Sequence, residues 1–290
     1  PNGQIRITKQ DSLMFESAMG SYRKDDCLKA IIGFNKYIDR FSPNGFFLLH
    51  AHFYKAECQY HNNEIKNAVK GYKYVASLPN NQFSEVSYSQ LAQIAYSQKN
   101  YAEALEYYDK LELVADERDN YIQALVGQMR CNYELENYPE AKENAKIILP
   151  LENIEQDMVL ETNLVLGKIQ YMDSNLNTAK FHFDYVVDKS KTAKGAEAQY
   201  YIARIAYDNR KYDDCRKEIF ALDDHYASYG YWVIKGFVLL ADVYIAEEDY
   251  FQARATLKSI LDAYNEDDEI VEECNRKMDQ IKELESASND

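Results

Sequence analysis

Basic residues and tyrosines recur together along this chain at a spacing that could bind a carboxylate. Arg130, Lys168 and Arg204 follow one another at intervals of 38 and 36 residues, and a tyrosine comes three residues after each. These tyrosines are Tyr133, Tyr171 and Tyr207, and Tyr96 continues their series one interval upstream. A guanidinium pairs with a carboxylate through two hydrogen bonds, an ammonium acts as a point charge, and a tyrosine adds a flat ring and a hydroxyl. The pattern predicts binding of an acidic group or a free C-terminal carboxylate.

Sequence signatures of catalysis are absent. The chain holds no GxGxxG, GxxxxGK[ST], GxSxG or HExxH motif. His50 and His52 are two residues apart, so on a helix they point to different sides. Adjacent carboxylates such as Asp25 and Asp26 are explained by helix caps and solvated loops. We therefore predict no enzymatic activity, no catalytic residue, no metal site and no cofactor.

The elements that position the basic residues and tyrosines repeat along the whole chain. A small residue returns every 36 to 38 residues, at Ala30, Ala68, Ala104, Ala141, Ala179, Cys215 and Ala253. A second residue, mostly small, stands twelve positions before each of them. Apolar residues around both positions recur at three and four, the spacing of an amphipathic helix. Each unit is predicted to be helix–turn–helix, and its small residues let the two helices approach closely.

We predict one all-α domain over residues 1–290, built from seven such units and a capping helix. The predicted units span 10–43, 44–80, 82–116, 118–152, 154–190, 193–227 and 229–265. The predicted helices within them are 10–23, 26–41, 45–60, 63–77, 83–98, 101–113, 119–135, 138–149, 155–172, 176–188, 193–208, 211–223, 230–247 and 250–263. The capping helix, 268–285, is predicted to cover the last apolar face and to present a solvated outer face. That outer face consists of Glu272, Glu273, Arg276, Lys277, Asp279 and Lys282.

The segment from Leu91 to Tyr108, LAQIAYSQKNYAEALEYY, resembles the tetratricopeptide repeat. The segments 202–215 and 239–253 resemble it as well, and the likeness extends over about residues 11–265 as seven degenerate repeats. Two departures stand out. These repeats average about 37 residues, whereas the common repeat has about 34. Residues such as Lys99 and Arg210 also replace the glycine often found in the turn within a repeat. Longer repeats of this kind are similar to those of bacterial cell-envelope tetratricopeptide proteins.

The resemblance implies a right-handed superhelical solenoid that serves as a protein–protein interaction scaffold. It places the first helix of each unit on the concave side, where the basic and tyrosine series would line a groove for a peptide or partner protein. Two alternatives stay open: the tyrosines pack between the two helices of a unit, or the bases pair with acids such as Glu161 or Glu197. Additional aromatic residues extend this surface or belong to the core. They are Phe15, Phe53, Tyr200 and Trp232.

Two other functions remain as alternatives: a structural self-assembly subunit, or part of a larger multi-repeat chain, and a sensor of a signalling peptide or small ligand. A net charge of −15 disfavours nucleic acid and anionic membranes as partners, and no apolar run is long enough to span a bilayer. Oligomerisation is left open. Because the chain opens at Pro1 rather than Met, we expect a mature or excised fragment.

The compartment has two candidates. The resemblance favours a periplasmic or cell-envelope location. The five cysteines are widely spaced and lack a CxxC pair, so we expect buried, reduced thiols. Reduced thiols favour the cytoplasmic alternative. The cysteines are Cys27, Cys58, Cys131, Cys215 and Cys274.

Overall fold

The computed structural model describes residues 9–264 and 269–288, and within these ranges all regular structure is α-helical. Its helices are α1 (Lys9–Tyr22), α2 (Cys27–Phe41), α3 (Leu48–His61), α4 (Ile65–Ala76), α5 (Ser84–Ser97), α6 (Tyr101–Val114), α7 (Arg118–Glu134), α8 (Tyr138–Ile148), α9 (Gln156–Met172), α10 (Leu176–Lys189), α11 (Ala193–Asp208), α12 (Tyr212–Tyr226), α13 (Gly230–Ala246), α14 (Tyr250–Ala263) and α15 (Glu269–Ser288). Each described helix end lies within three residues of its predicted position. The all-α prediction is confirmed.

The helices form consecutive hairpins, from α1–α2 to α13–α14. We call the odd-numbered member of each the first helix and the even-numbered member the second helix. The recurrent small residues lie at the crossings of each pair, and Ala30, Ala104 and Ala253 have no exposed surface. A Cβ atom added to Gly71 of α4 would lie 2.7 Å from the Cβ atom of Ala56 on α3. The small residues therefore set the distance between paired helices, as the sequence predicts.

The turn inside each hairpin contains one residue in the left-handed region. These residues are Asp25, Asn63, Lys99, Glu136, Ser174, Arg210 and Glu248, with φ between 57° and 62°. Around Lys99, its own N–H donates to the carbonyl of Tyr96, and the N–H of Asn100 donates to the carbonyl of Ala95, both at 2.9 Å. This is the Schellman arrangement that closes a helix end. The turn that glycine often forms is thus made here by L-residues, at a conformational cost.

The chain divides into two compact units, Pro1–Pro150 and Leu151–Asp290, which we call unit 1 and unit 2. The boundary falls between the hairpins α7–α8 and α9–α10. None of the described helices has the length and apolar content needed to cross a membrane.

The expectation of five reduced cysteines is wrong for one pair in unit 1. Cys27 at the start of α2 and Cys58 in α3 form a disulfide, with Cα atoms 5.0 Å apart. Helices α2 and α3 belong to neighbouring hairpins that pack together, which brings the two cysteines into reach. Cys131 and Cys215 are buried thiols as expected, and burial raises the pKa of each to about 12.

Helix α15 packs against α13 and α14 and buries Ile270, Cys274 and Ile281. Most of its predicted outer face is exposed, but Lys277 is a correction. Only 5% of Lys277 is accessible, and its ammonium contacts the carboxylate of Asp242 on α13. A buried ammonium requires such a partner because its desolvation is costly. The capping helix is therefore tied to the last hairpin by charge as well as by apolar packing.

Candidate partner-binding surface

The predicted binding residues of unit 2 lie on the first helices α9 and α11, which contact each other. Lys168 and Tyr171 belong to the last turns of α9, and Arg204 and Tyr207 hold the corresponding places in α11. All four side chains are half-buried. We refer to these residues, with the adjoining polar and aromatic side chains of α11 and α13, as the first-helix face of unit 2.

Lys168 is paired across hairpins. Its ammonium lies 2.9 Å from the carboxylate of Glu197 on α11, and the two side chains are 22% and 17% exposed. Glu197 is one of the two acids that the sequence suggested as internal partners. Limited exposure strengthens this ion pair relative to one in open solvent.

Arg204 is held by a carboxylate and by an aromatic ring. Its Nε lies 3.3 Å from Oδ1 of Asp208, and the guanidinium carbon lies 5.3 Å from the centre of the Tyr207 ring. The Tyr171 hydroxyl donates to Oδ2 of the same Asp208 at 2.6 Å. Burial, and then this hydrogen bond, raise the pKa of Tyr171 to about 12. Because the Arg204 side chain stays 35% exposed, it can meet a partner's carboxylate while remaining oriented.

An aromatic cluster at the start of α13 extends this face. The ammonium of Lys235 lies 5.8 Å from the ring centre of Tyr200, 5.3 Å from Tyr231 and 5.9 Å from Trp232. These distances are within the range of cation–π attraction. The carboxylate of Glu269 on α15 lies 3.5 Å from the same ammonium. Tyr200 and Trp232 were candidates from sequence and both are half-buried here, whereas Lys235 was missed.

The basic series ends at α13. Asp242 occupies the place in α13 that Arg204 occupies in α11, and burial raises the pKa of its carboxyl despite the neighbouring Lys277. The aromatic candidates of unit 1 also differ from those of unit 2, because Phe15 and Phe53 are buried in the core. The half-exposed strip of basic and aromatic side chains thus lies on α9, α11 and α13.

Three of the four predicted tyrosines contact the tyrosine that opens the next helix of their own hairpin. The ring centres of Tyr96 and Tyr101 are 5.3 Å apart. The same contact joins two further pairs, Tyr133 with Tyr138 at 5.9 Å and Tyr207 with Tyr212 at 5.8 Å. Such contacts correspond to the alternative in which tyrosines pack between paired helices. Arg130 is half-buried on α7 in unit 1, apart from the unit 2 face.

The described residues contain no group of three or more His, Cys, Asp or Glu side chains placed to hold a metal ion. The first-helix face of unit 2 is a set of paired charged side chains and aromatic side chains on the helices α9, α11 and α13. Such a surface can bind extended peptides or protein loops through charge-assisted hydrogen bonds and ring contacts.

The succession of helical hairpins defines a tetratricopeptide-repeat solenoid fold. Solved structures of this kind align over most of the chain. A tetratricopeptide repeat protein from Parabacteroides merdae aligns with TM-score 0.53 and 14% identity, over 92% of this chain and 98% of its own. The C-terminal part of a repeat-containing protein from Cytophaga hutchinsonii aligns with TM-score 0.62 and 17% identity, over 89% and 98%.

A signal transduction ATPase from Pyrococcus horikoshii with a tetratricopeptide-repeat sensor aligns with TM-score 0.63 and 13% identity, over 95% of this chain and 44% of its own. At such identities the likenesses establish the fold alone. No protein-family model matches the chain, and no curated protein matches it.

Proposed function

We propose that this protein is a non-enzymatic scaffold that binds a peptide or partner protein on the first-helix face of unit 2. The observation that carries the proposal is the strip formed by Lys168, Arg204 and Lys235. Each base is held by an acid or by aromatic rings of the same or an adjacent helix, yet each remains partly exposed. Side chains already ordered in the free protein lose less entropy when a partner binds.

The partner that fits this face carries an acidic side chain or a free C-terminal carboxylate. Arg204 is the centre of the site because its guanidinium can form two parallel hydrogen bonds with a carboxylate. A peptide carboxylate exchanges for Asp208 as the acceptor, and Tyr171 keeps Asp208 in place through its hydroxyl. The bases are already paired, so binding replaces one ion pair by another and selects for shape more than for bulk charge.

Unit 1 extends the same proposal through Arg130, Tyr96 and Tyr133. These residues hold positions in α5 and α7 that match those of the unit 2 residues in α9 and α11. Arg130 is the base of this group, and we assign it a second carboxylate contact within unit 1. Self-assembly is the competing function, and the molar mass of the protein in solution distinguishes the two.

The proposal is tested with fluorescein-labelled acidic heptapeptides, each made with a free and with an amidated C-terminus. Fluorescence anisotropy measures their affinity for the protein and for the variant Arg204→Glu. The matched control is Lys258→Glu on α14, which makes the same charge change at an exposed residue. We expect Arg204→Glu to weaken binding at least tenfold, about 1.4 kcal/mol, and the control to leave it unchanged. If the double variant Arg130→Glu, Arg204→Glu binds every peptide as the parent does, the proposed site is wrong.

A further inference from the structure

A cleft in the hairpin α13–α14 of unit 2 has the size of a small-molecule site. It opens between the two helices and has a volume of about 470 Å³. Sites for small molecules commonly measure about 300–1,000 Å³ and are lined mainly by apolar side chains. Ile234, Phe237 and Leu240 of α13 line this cleft, together with Ile260 of α14. None of its lining residues carries a charge.

The other two hairpins of unit 2 have a hydrogen bond between side chains at the matching place. In α9–α10 it joins Asn163, four residues before the small residue of the first helix, to His182, three residues after that of the second helix, at 2.9 Å. In α11–α12 the same two positions hold Gln199 and Glu218, and the amide nitrogen donates to the carboxylate at 2.6 Å. Each bond bridges the two helices of its hairpin.

The hairpin α13–α14 has no such bridge. Its matching positions hold Phe237 and Thr256, and a phenyl ring has no polar atom with which to form the bond. The side chains of α14 along the cleft are also small, with Ala255 and Ser259 on either side of Thr256. Helix α10 has Tyr185 at the position that Ser259 holds in α14. Space that side chains fill in α9–α10 is therefore left open in α13–α14.

The lining determines the chemistry of a molecule that fits. Thr256 and Ser259 are three residues apart, so they lie on the same side of α14. Neither hydroxyl forms a hydrogen bond with another residue of the described chain, so both can bond to a ligand. A charged ligand would lose its hydration without meeting an opposite charge in the cleft. A cavity of roughly 150 Å³ accommodates benzene, so about 470 Å³ leaves room for two or three rings.

We infer that the α13–α14 cleft binds a small, uncharged, mainly apolar molecule of two or three rings that carries a hydroxyl or carbonyl group. The rings contact Phe237, and the polar group bonds to the hydroxyls of Thr256 and Ser259. This site is separate from the first-helix face of unit 2. Phe237 follows Lys235 of that face by two residues, and such a step turns a helix by about 200°.

The probe is 2-naphthol, an uncharged molecule of two fused rings with one hydroxyl. Its references are 2-methylnaphthalene, which lacks the hydroxyl, and 2-naphthoate, which is charged. Ligand-observed NMR titrations of the full chain measure the three dissociation constants. We expect 2-naphthol to bind with a dissociation constant below about 1 mM, and 2-naphthoate to bind at least tenfold more weakly because its charge is unpaired in the cleft.

Two variants test the cleft and its hydroxyls separately. Ser259→Leu places a larger side chain in the cleft and should weaken 2-naphthol binding at least tenfold. The matched control is Ala221→Leu at the corresponding position of α12, which should leave binding unchanged. Thr256→Val with Ser259→Ala removes both hydroxyls with little change of shape. This double variant should weaken 2-naphthol about fivefold and leave 2-methylnaphthalene unaffected. Circular dichroism confirms that each variant is folded.

The inference is overturned if 2-naphthol does not bind, if Ser259→Leu binds it like the parent, or if 2-naphthoate binds as tightly. Equal weakening of both uncharged ligands by the double variant would overturn the contact with the hydroxyls. A dimer seen by light scattering and dissociated by Ser259→Leu would assign the cleft to a second copy of the chain instead. Arg204→Glu should leave 2-naphthol binding unchanged, and Ser259→Leu should leave the acidic heptapeptides unaffected, so the two proposals fail independently.

Discussion

Reduction of the Cys27–Cys58 disulfide should destabilise unit 1 by several kcal/mol. The bond joins cysteines 31 residues apart in the sequence. Closing a loop of about that length removes roughly 12 cal/mol/K of entropy from the unfolded chain, or about 3.7 kcal/mol at 25 °C. The buried Cys58 already lies in the core between α2 and α3, so the folded state gains little when the bond opens.

The assay compares urea unfolding of the oxidised protein with that of the protein kept in a phosphine reductant. Circular dichroism follows all helices, and hydrogen exchange read by mass spectrometry isolates peptides of α2 and α3. Trp232 is the one tryptophan of the chain and lies in unit 2, so its fluorescence is an internal reference. We expect reduction to increase exchange in α2 and α3 and to lower the unfolding midpoint seen by circular dichroism more than the Trp232 midpoint.

Two results would refute this reasoning. If thiol titration in denaturant finds the same number of thiols before and after reduction, instead of two more after it, the cysteines are not bonded. If the bond is present but the oxidised and reduced proteins unfold at the same urea concentration, the entropic argument fails. A confirmed bond would also point to folding in an oxidising compartment, because structural disulfides persist there and are rare in the cytosol of most organisms.

Three further predictions concern the hairpins. Lys99→Gly should raise the free energy of unfolding by about 1 kcal/mol, because glycine removes the steric cost of the left-handed φ of 59°. Urea unfolding midpoints measure this change in stability, and a lower midpoint for the variant would contradict the prediction. His52 stacks on Tyr74 at 3.7 Å, and burial, with a smaller contribution from a nearby lysine, lowers its pKa from 6.5 to about 4. Its stabilising contribution is thus complete above pH 6.5 and is lost as the pH falls towards 4. The ring is half-buried, so we expect the parent to lose about 1 kcal/mol between pH 7 and pH 5 relative to His52→Gln. In Gly127→Ala the new Cβ atom would lie 2.4 Å from the Tyr108 ring, which should cost about 1–3 kcal/mol; an unchanged thermal midpoint would show that the ring moves aside freely.

The hairpins could be predicted because their sequence constraints are local and repeated. A small residue is needed wherever two helices cross closely, so Ala30, Ala104 and Ala253 recur at the hairpin interval. The turn at Lys99 was also recognised, although only the structure shows that its backbone takes the conformation a glycine would. Helix ends differ by up to three residues because they depend on the last hydrogen bonds of each helix rather than on its apolar spacing.

The side-chain pairs that link a hairpin to the helices after it could not be predicted by looking within one hairpin. Tyr171 and Asp208 are 37 residues apart, Cys27 and Cys58 are 31 apart, and Lys277 lies 35 residues after its partner on α13. The first two pairs join helices of neighbouring hairpins, and the third joins the last hairpin to the capping helix α15. A search for complementary residues about one hairpin interval apart would have found these pairs. Which face of a helix such residues occupy still depends on its rotation, since one residue changes the direction by about 100°.

The same pairing explains how an acidic chain can keep basic residues on a binding face. Lys168 and Arg204 are each matched by an acid on their own or the adjacent first helix, so that face has little net charge to attract or repel a partner. A peptide that exchanges for Asp208 leaves the number of ion pairs unchanged, and its affinity should depend only slightly on salt. Titrations at 50 and 500 mM NaCl should therefore change the affinity of the peptide for the unit 2 face only slightly, because Asp208 already pairs with Arg204 in the free protein. A steep loss of affinity with salt would mean that Arg204 is not held by Asp208 in solution.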